Sequence, residues 1–453
     1  MRAFTFASGP SAGRLALGAG AAAYTLSLGL WVLLVRAHPD TQWLMLDLAT
    51  MHDAAASLRD GQDRVYTELF GPFPGPFIYP PIAVLAFYAA LPLGMTGLKV
   101  VMAVLSHAAV LATVWIALGM LGRRRGVGRA AATLGLAAAV LWIEPVHKTL
   151  MFGQVGLILM VLVLADCALP DRSRLKGAGI GLATGLKLTP GLFVVYLLLT
   201  RRFRAAVTAS AVTAATMAVG WAVVPRAARQ YWFDSMWVGD SINHVITLAH
   251  AINQSLKGVT MRVFEGGAAG QAVWVAGAAV IAAVGMAAAR AASARGLELL
   301  GVVLCAGVAL LISPISWQHH WVWAVPVLVL VGDLAWRRRD RVLAWAAVLY
   351  TGVIACWPMR LDWYGYWDSS FPVEPYGLIW LGPHEAGREF RWNAWQFVVG
   401  NSLFAVHVAM AVAVCAYLWC TRTRFRTVSG GGVGTGGEPA AEGLRVPYGL
   451  ARR

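Results

Sequence analysis

Long apolar segments recur along the whole chain and limit the folds that are open to it. The first covers residues 15–36, and others of similar length follow at 98–121, 205–224, 271–290 and 398–420. An α-helix needs about 20 apolar residues to cross the hydrocarbon core of a bilayer. Only 13% of the 453 residues are charged, against roughly 25% in soluble domains. The sequence therefore predicts an all-α polytopic membrane protein with about 12 transmembrane or re-entrant helices.

The basic residues are distributed in a way that predicts the orientation in the membrane. The net charge is +15, and Lys and Arg cluster in short loops between apolar segments, at residues 123–125, 172–176, 201–202, 337–341 and 422–426. Short basic loops are typical of the cytoplasmic side of a membrane. Membrane topology and contact with membrane lipids therefore explain the charge, and no nucleic-acid partner is expected.

This orientation predicts one membrane domain over residues 1–426, located in the plasma membrane. Three large loops then lie on the outer, extracytoplasmic face, at residues 37–79, 225–270 and 358–397. Residues 427–453 are rich in Gly and are predicted to form a disordered cytoplasmic tail. A functional site is expected among the three outer loops.

Two apolar segments are expected to be irregular. Residues 81–93 are short for a complete span, so we expect a short or re-entrant piece separate from the span at 98–121. Residues 177–200 lie between two basic loops, so we expect them to fold back on themselves with a break near 185–190.

A helical hairpin is predicted from residues 130–146 and 154–169. Its turn would contain Glu144, His147 and Lys148 on the outer face.

A polar stretch directly after the first apolar segment contains the first candidate for chemistry. Read as a helix, residues 46–60 have an apolar stripe made by Leu48, Met51, Ala54, Ala55 and Leu58. Asp53 and Asp60 fall on the other side, whereas Asp47 falls inside the stripe. An Asp at the start of a helix can cap it, but a carboxylate among apolar groups can also act as an acid or base. The residues alone leave both interpretations open.

Four further polar side chains interrupt apolar sequence. Gln318, His319 and His320 lie in a tight outer turn between two spans, where they can be structural, contact a phosphate or sugar, or bind a metal. Lys187 lies in the middle of an apolar segment, followed by Pro190. It either extends toward the membrane surface or binds an anion at a broken helix.

Polar and aromatic residues in the second and third outer loops are candidates for binding an acceptor molecule. Asn253, Gln254 and Arg262 suit a phosphate or inositol headgroup, although a solvated loop has the same composition. Trp363 and Tyr364 can stack on sugar rings, although aromatic residues also collect at membrane interfaces.

Taken in order, several short motifs resemble the GT-C glycosyltransferases of the GT87 type, over about residues 15–420. The motifs are Asp47 after the first span, Tyr66, Tyr79-Pro80-Pro81, Gly153-Gln154-Val155, Gly185-Leu186-Lys187-Leu188-Thr189-Pro190, Asn253-Gln254-Ser255-Leu256 and Ser313-Pro314-Ile315-Ser316-Trp317 with His319-His320. Within the family, the chain is most similar to the mycobacterial α-1,2-mannosyltransferases that extend phosphatidylinositol mannosides.

The resemblance implies a GT-C fold and an inverting transfer of mannose from polyprenyl-phosphate mannose to a glycolipid acceptor, of the type that converts a tetramannoside to a pentamannoside. It implies that Asp47 is the catalytic base, because the family's Asp occupies this position. It also implies no cofactor and no metal, since Lys187, His319, His320 and Gln318 would bind the donor phosphate or sugar. The family also contains arabinofuranosyltransferases, so polyprenyl-phosphate arabinose stays an alternative donor.

Two other classes of function compete with this enzyme. The broken segment at 177–200 and Lys187 would also suit a transporter of lipid-linked sugars, but transporters place polar residues near the midplane of several spans. Here the ionisable residues concentrate at one face, which favours an enzyme. A scaffold without chemistry is disfavoured, because ionisable residues in a membrane usually mark function.

Overall fold

A computed structural model describes residues 10–235, 248–362, 368–370, 372–384 and 386–428, with side chains up to residue 419. Almost all of its regular structure is α-helical. The first helices are α1 (Pro10–Ala37), α2 (Pro39–Gln42), α3 (Leu46–Ala56), α4 (Pro81–Ala90), α5 (Gly94–Met120), α6 (Val127–Val140), α7 (Glu144–Phe152), α8 (Gly156–Ala168), α9 (Ala178–Leu186) and α10 (Leu192–Leu199).

The remaining described helices are α11 (Phe203–Val223), α12 (Pro225–Arg229), α13 (Leu256–Phe264), α14 (Ala268–Ala294), α15 (Glu298–Ile312), α16 (Ala324–Arg338), α17 (Arg341–Ile354), α18 (Ala394–Gly400) and α19 (Ser402–Val428). Two antiparallel ribbons lie in the first and third of the predicted outer loops. Strand β1 (Leu69–Phe70) pairs with β2 (Gly75–Pro76), and β3 (Trp357–Met359) pairs with β4 (Glu374–Tyr376).

Several helices are long and apolar enough to cross a bilayer. In the described part of the chain they are Ser11–Ala37, Pro81–Met120, Phe203–Val223, Ala268–Ala294 and Ser402–Trp419, and the pair α7 and α8, bent by 120°, adds a sixth if it is one span. The protein is therefore a helical membrane protein, as predicted. Shorter apolar helices accompany these spans, but the predicted count of about twelve is not confirmed.

The structure corrects two expectations about local structure. Residues 81–93 are not a separate piece, because a 3-10 turn at Leu91–Leu93 joins α4 directly to α5. Glu144, His147 and Lys148 do not form a turn but lie in α7. Pro145 occupies one of the first positions of this helix, where its missing N–H costs nothing. The expected break in the segment at 177–200 is confirmed, since α9 ends at Leu186 and a 3-10 turn precedes α10.

Ion pairs join several of the predicted basic loops to one another or to neighbouring helices. Arg123 and Arg337 both pair with Asp333, at 2.6 Å and 2.8 Å. At the same kind of loop, Arg202 pairs with Glu298 at 2.7 Å. The predicted outer loops also contact one another, since Gln42 in the first donates to Glu374 in the third over 3.1 Å.

Helix α3 lies where two hydrophobic clusters meet. Leu48 packs into the large cluster formed by the helix bundle, and Met51 packs into a smaller one under the first outer loop. The apolar stripe is buried as predicted through Leu48, Met51, Ala54 and Ala55, while the side chains of Asp53 and Asp60 are exposed. The helix ends at Ala56 and continues as a 3-10 turn. This packing fixes the position of Asp47 at the edge of the bundle.

Candidate active site

Asp47 lies in the first turn of α3, but its side chain does not cap that helix. Met45 precedes the helix with a left-handed backbone (φ 49°), and no side chain caps the amino end. The Asp47 carboxylate instead accepts a hydrogen bond from the Gln154 amide, whose Nε2 lies 2.6 Å from Oδ2. Of the two interpretations left open by the sequence, the helix cap is therefore not the one that the structure shows.

A second hydrogen bond orients Gln154. The Tyr79 hydroxyl donates to Gln154 Oε1 over 2.8 Å. Because Tyr79 occupies the oxygen end of this amide, the NH2 end faces Asp47. Tyr79 is itself held by the Tyr66 hydroxyl, which donates to the Tyr79 carbonyl over 2.8 Å. A continuous chain of hydrogen bonds thus leads from the first outer loop to the carboxylate.

A glycine allows Gln154 to come close to α3. Gly153 has a left-handed backbone (φ 68°), and a Cβ there would lie 2.7 Å from the Cβ of Leu48 and 3.0 Å from that of Met45. Any other residue would be strained at this φ and would push the turn between α7 and α8 away from α3. The Gly153-Gln154 motif therefore has a physical basis in this contact.

Lys187 reaches the same site from the break between α9 and α10. Its Nζ lies 3.1 Å from His320 Nε2 and 5.1 Å from the centre of the Tyr79 ring. Its positive charge also acts on Asp47. Because the ammonium only donates, the contact requires a neutral His320 ring with its proton on Nδ1.

His319 and Gln318 bring unused polar atoms into this region. The His319 ring lies 4.6 Å from that of His320, between centroids, and 5.3 Å from that of Phe152. His319 is 3% exposed and Gln318 is fully buried. Among the described residues, neither His319 ring nitrogen and neither end of the Gln318 amide has a hydrogen-bond partner. Buried polar groups are normally paired, so these atoms are available to a bound molecule.

The environment of Asp47 adjusts its acidity. The carboxyl group is partly accessible but has protein on most sides, and this desolvation raises its pKa to about 6. The hydrogen bond from Gln154 and the charge of Lys187 lower the pKa and offset part of that rise. The group is therefore mainly ionised at neutral pH, yet more basic than an ordinary Asp, whose pKa is about 4. These are the properties of a carboxylate that can accept a proton.

The structure does not bring Asn253, Gln254 and Arg262 to this group. All five N–H bonds of the Arg262 guanidinium are used, by the Asn401 side chain and by the carbonyls of residues 249, 250 and 253. Gln254 bonds the carbonyls of Ala251 and Gly400 and the N–H of Phe404.

Asn253 holds the turn that carries the two His residues. Its Oδ1 accepts from the N–H of Ser316 over 3.0 Å, and its Nδ2 donates to the carbonyl of Pro314 over 3.1 Å. The prediction that these three residues bind the acceptor stays untested, but their polar atoms already serve the protein itself. Trp363 and Tyr364, the other predicted acceptor residues, lie outside the described residues.

Two members of the site were not singled out from the sequence as functional residues. Gln154 and Tyr79 both lie within the quoted motifs, but neither is ionised at neutral pH, so charge and hydropathy do not mark them. The signal that could have found them is the combination of a Gly before Gln154 and the sequence Tyr79-Pro80-Pro81.

Comparison with known proteins identifies the family. The family model of "Glycosyltransferase family 87" matches residues 77–314, a range that contains Tyr79, Gln154 and Lys187. No solved structure gives a significant match.

Two curated relatives come from Mycobacterium tuberculosis. One is named polyprenol-phosphate-mannose-dependent alpha-(1-2)-phosphatidylinositol mannoside mannosyltransferase; it is 36% identical over 59% of this chain and 65% of its own length. The other is named polyprenol-phosphate-mannose-dependent alpha-(1-2)-phosphatidylinositol pentamannoside mannosyltransferase, and is 35% identical over 70% of this chain and 72% of its own.

A protein with the second of these names in Mycolicibacterium smegmatis is 32% identical over 71% of this chain and 76% of its own. The chain therefore spans about three quarters of the length of the two relatives named for the pentamannoside, and slightly less than two thirds of the length of the first relative. The family predicted from the motifs is confirmed: the chain belongs to glycosyltransferase family 87.

Proposed function

We propose that this chain transfers mannose from polyprenyl-phosphate mannose to a phosphatidylinositol mannoside, forming an α-1,2 linkage at the outer face of the plasma membrane. The acceptor would be a tetramannoside and the product a pentamannoside. The observation that carries this proposal is the juxtaposition of the Asp47 carboxylate, held by Gln154, with the ammonium of Lys187 and the imidazole of His320. A base and an anion-binding group within one site are what transfer from a phosphate-linked sugar requires.

Each group has a place in the reaction. Asp47 accepts the proton of the attacking mannose hydroxyl, whose oxygen then bonds to the anomeric carbon of the donor. The bond from that carbon to the phosphate oxygen breaks, and its electron pair leaves with the polyprenyl phosphate. Lys187 and the His residues stabilise the negative charge that develops on this phosphate. Attack opposite the leaving group converts a β-linked donor into an α-linked product.

The buried polar atoms without partners support binding of the donor at the same place. The imidazole of His319 and the amide of Gln318 can donate to phosphate oxygens or sugar hydroxyls. In the free protein they have no such partner among the described residues. A donor that restores their hydrogen bonds gains affinity, whereas one that leaves them unpaired is disfavoured.

The names of the relatives favour mannose over arabinose as the transferred sugar, because each names polyprenol-phosphate mannose. They differ in the acceptor, which is a phosphatidylinositol mannoside in one name and a pentamannoside in another. The assay therefore has to compare acceptors that carry different numbers of mannose residues.

A product assay tests the proposed function. Purified protein is given polyprenyl-phosphate mannose with phosphatidylinositol mannosides of four or five mannose residues, and the products are read by mass spectrometry and linkage analysis. We expect one added hexose in α-1,2 linkage. Transfer of a pentose from polyprenyl-phosphate arabinose, without transfer of mannose, would show that the donor carries arabinose instead. Movement of a labelled donor between leaflets without any glycosidic product would show that the protein is a transporter and not an enzyme.

The acidity of Asp47 predicts how the rate depends on pH. Because the base must be ionised, kcat/KM should fall about tenfold per pH unit below a midpoint near 6. Gln154→Leu removes a hydrogen bond that stabilises the carboxylate, so the midpoint should move about one unit to higher pH. Gln62→Leu, an amide change in the first outer loop that does not touch the site, should leave the midpoint in place. An identical midpoint in wild type and Gln154→Leu would contradict the role of this contact.

The charge of Lys187 predicts a defect that depends on the donor. Lys187→Gln removes the ammonium beside His320, so we expect kcat/KM for the lipid-phosphate donor to fall about 10²-fold or more. Lys187→Arg keeps the charge and should lose less. Lys257→Gln is a matched control, since Lys257 is buried and bonds Gln271 away from the site. Initial rates are measured over a range of donor concentrations. If the rate of Lys187→Gln depended on donor concentration as in the wild type, Lys187 would not be a group that binds the donor phosphate.

A further inference from the structure

Helix α7 is buried around its whole circumference although four of its nine residues are polar. Glu144, His147 and Thr149 are fully buried, and Lys148 is 1% exposed. Burying such groups is costly unless each finds a partner. Their partners come from three different parts of the chain, so this nine-residue helix connects segments that are otherwise far apart in sequence.

The third outer loop closes on the amino end of α7. The indole Nε1 of Trp380 donates to Glu144 Oε1 over 2.6 Å. The Glu144 carboxylate also lies directly against Gly377, where a Cβ would collide with it. Lys148 places its ammonium 4.5 Å from the centre of the Tyr376 ring and 5.5 Å from that of Trp380.

The first outer loop joins the same network. His147 Nε2 lies 2.9 Å from Gln42 Oε1, and Gln42 Nε2 donates to Glu374 Oε2 over 3.1 Å. The Thr41 hydroxyl donates to the other oxygen of Glu374 over 2.7 Å. Lys148 from α7 is the charged group that faces Glu144, and Glu374 from the third loop in turn faces Lys148. Through these contacts, α2, α7 and β4 form one connected network of polar side chains.

The carboxyl end of α7 leads directly to the proposed reaction centre. The single proton of the Thr149 hydroxyl is shared between the Pro145 carbonyl, at 2.7 Å, and the His319 carbonyl, at 3.1 Å. The ring of Phe152 packs against that of His319. Two residues after α7 ends, Gln154 donates to Asp47. A helix of this length is about 13 Å long and moves as a rigid unit. A displacement at Glu144 is thus transmitted to both Gln154 and His319.

We propose that Glu144 is a positioning residue for the transfer reaction: by bonding Trp380 and packing on Gly377 it anchors α7, and α7 then fixes Gln154 against Asp47. This inference rests on the proposed function. Glu144 itself lies at the far end of α7 and touches neither Asp47 nor Lys187 in this structure. Because Trp380 and Gly377 belong to the third outer loop, this anchor also makes that loop necessary for the geometry of the site, although no described residue of the loop contacts Asp47.

The proposal predicts a change in the pH profile as well as in the rate. In Glu144→Ala the anchor is lost, Gln154 is held less firmly, and the Asp47 carboxylate loses a stabilising donor. We expect kcat to fall about 10- to 100-fold, and the acidic midpoint of kcat/KM to move to higher pH in the same direction as in Gln154→Leu. Glu144→Gln keeps an oxygen that can accept from Trp380, so it should restore most of the rate and the wild-type midpoint.

A matched pair of Trp variants provides the control. Trp380→Phe removes the indole N–H that bonds Glu144 and should reproduce part of the Glu144→Ala shift. Trp392→Phe removes an indole N–H in the same region that donates to the Pro383 carbonyl over 2.6 Å and does not touch α7. It should leave the midpoint unchanged. In the double variant Glu144→Ala/Gln154→Leu, the midpoint should not move beyond that of Gln154→Leu, since both changes act on one contact.

The outcomes separate this inference from the proposed function. A purely structural role for Glu144 would reduce the amount of active protein and lower kcat by one factor at every pH, with an unmoved midpoint. That result, with an active wild type and an inactive Asp47→Asn, would overturn the positioning role alone. Absence of any transfer by the wild type would overturn the proposed function instead. Full transfer by Asp47→Asn would keep the transferase activity but overturn Asp47 as its base, and with it the positioning role of Glu144.

Discussion

The hydrogen bond from Gln154 to Asp47 is the contact on which the rest of the site depends. It stabilises an ionised carboxylate in a position that apolar packing would otherwise make unfavourable, and the positive charge of Lys187 adds to this stabilisation. It exists only because Gly153 lets the turn after α7 approach the start of α3. Three structural features therefore have to coincide: a Gly with φ above zero, an amide oriented by Tyr79, and a helix pinned between two hydrophobic clusters.

The helix bundle and the outer loops position different parts of the site. The bundle holds the break at Lys187 and the turn at Gln318–Trp323 next to one another, through the packing of α8, α9 and α15. The first outer loop supplies Asp47. The first and third outer loops also hold the amino end of α7 in place, through contacts of Gln42 with His147, of Trp380 with Glu144 and of Tyr376 with Lys148. This arrangement is compatible with the proposed transfer from a lipid-phosphate donor to a polar acceptor.

Much of the fold and part of the candidate site could be predicted from local patterns in the sequence. The spans follow from length and hydropathy, and the helical stripe that sets Asp47 apart from Asp53 follows from a period of 3.6 residues. The break beside Lys187 follows from Pro190 and the Gly residues before it. These features are local, and local patterns are what a sequence states directly.

The remainder depends on tertiary contacts that no local pattern specifies. The polar run at 144–149 resembles a surface turn, and it forms a helix only because partners at residues 42, 319, 376 and 380 satisfy its buried groups. For the same reason Arg262 resembles a ligand-binding residue, whereas its guanidinium is used by backbone carbonyls and Asn401. The importance of Gln154 emerges only when Asp47 and Tyr79 are seen on either side of it.

The most direct test of this account compares two Asp variants of the same helix. Asp47→Asn keeps the shape of the side chain but cannot accept the acceptor's proton, whereas Asp53→Asn changes an exposed carboxylate beside His52. Mannosyl transfer by the purified proteins is measured from polyprenyl-phosphate mannose under identical conditions. The account predicts a loss of about 10²- to 10⁴-fold in kcat for Asp47→Asn and near wild-type turnover for Asp53→Asn. Equal turnover by the two variants would contradict the assignment of Asp47 as the base.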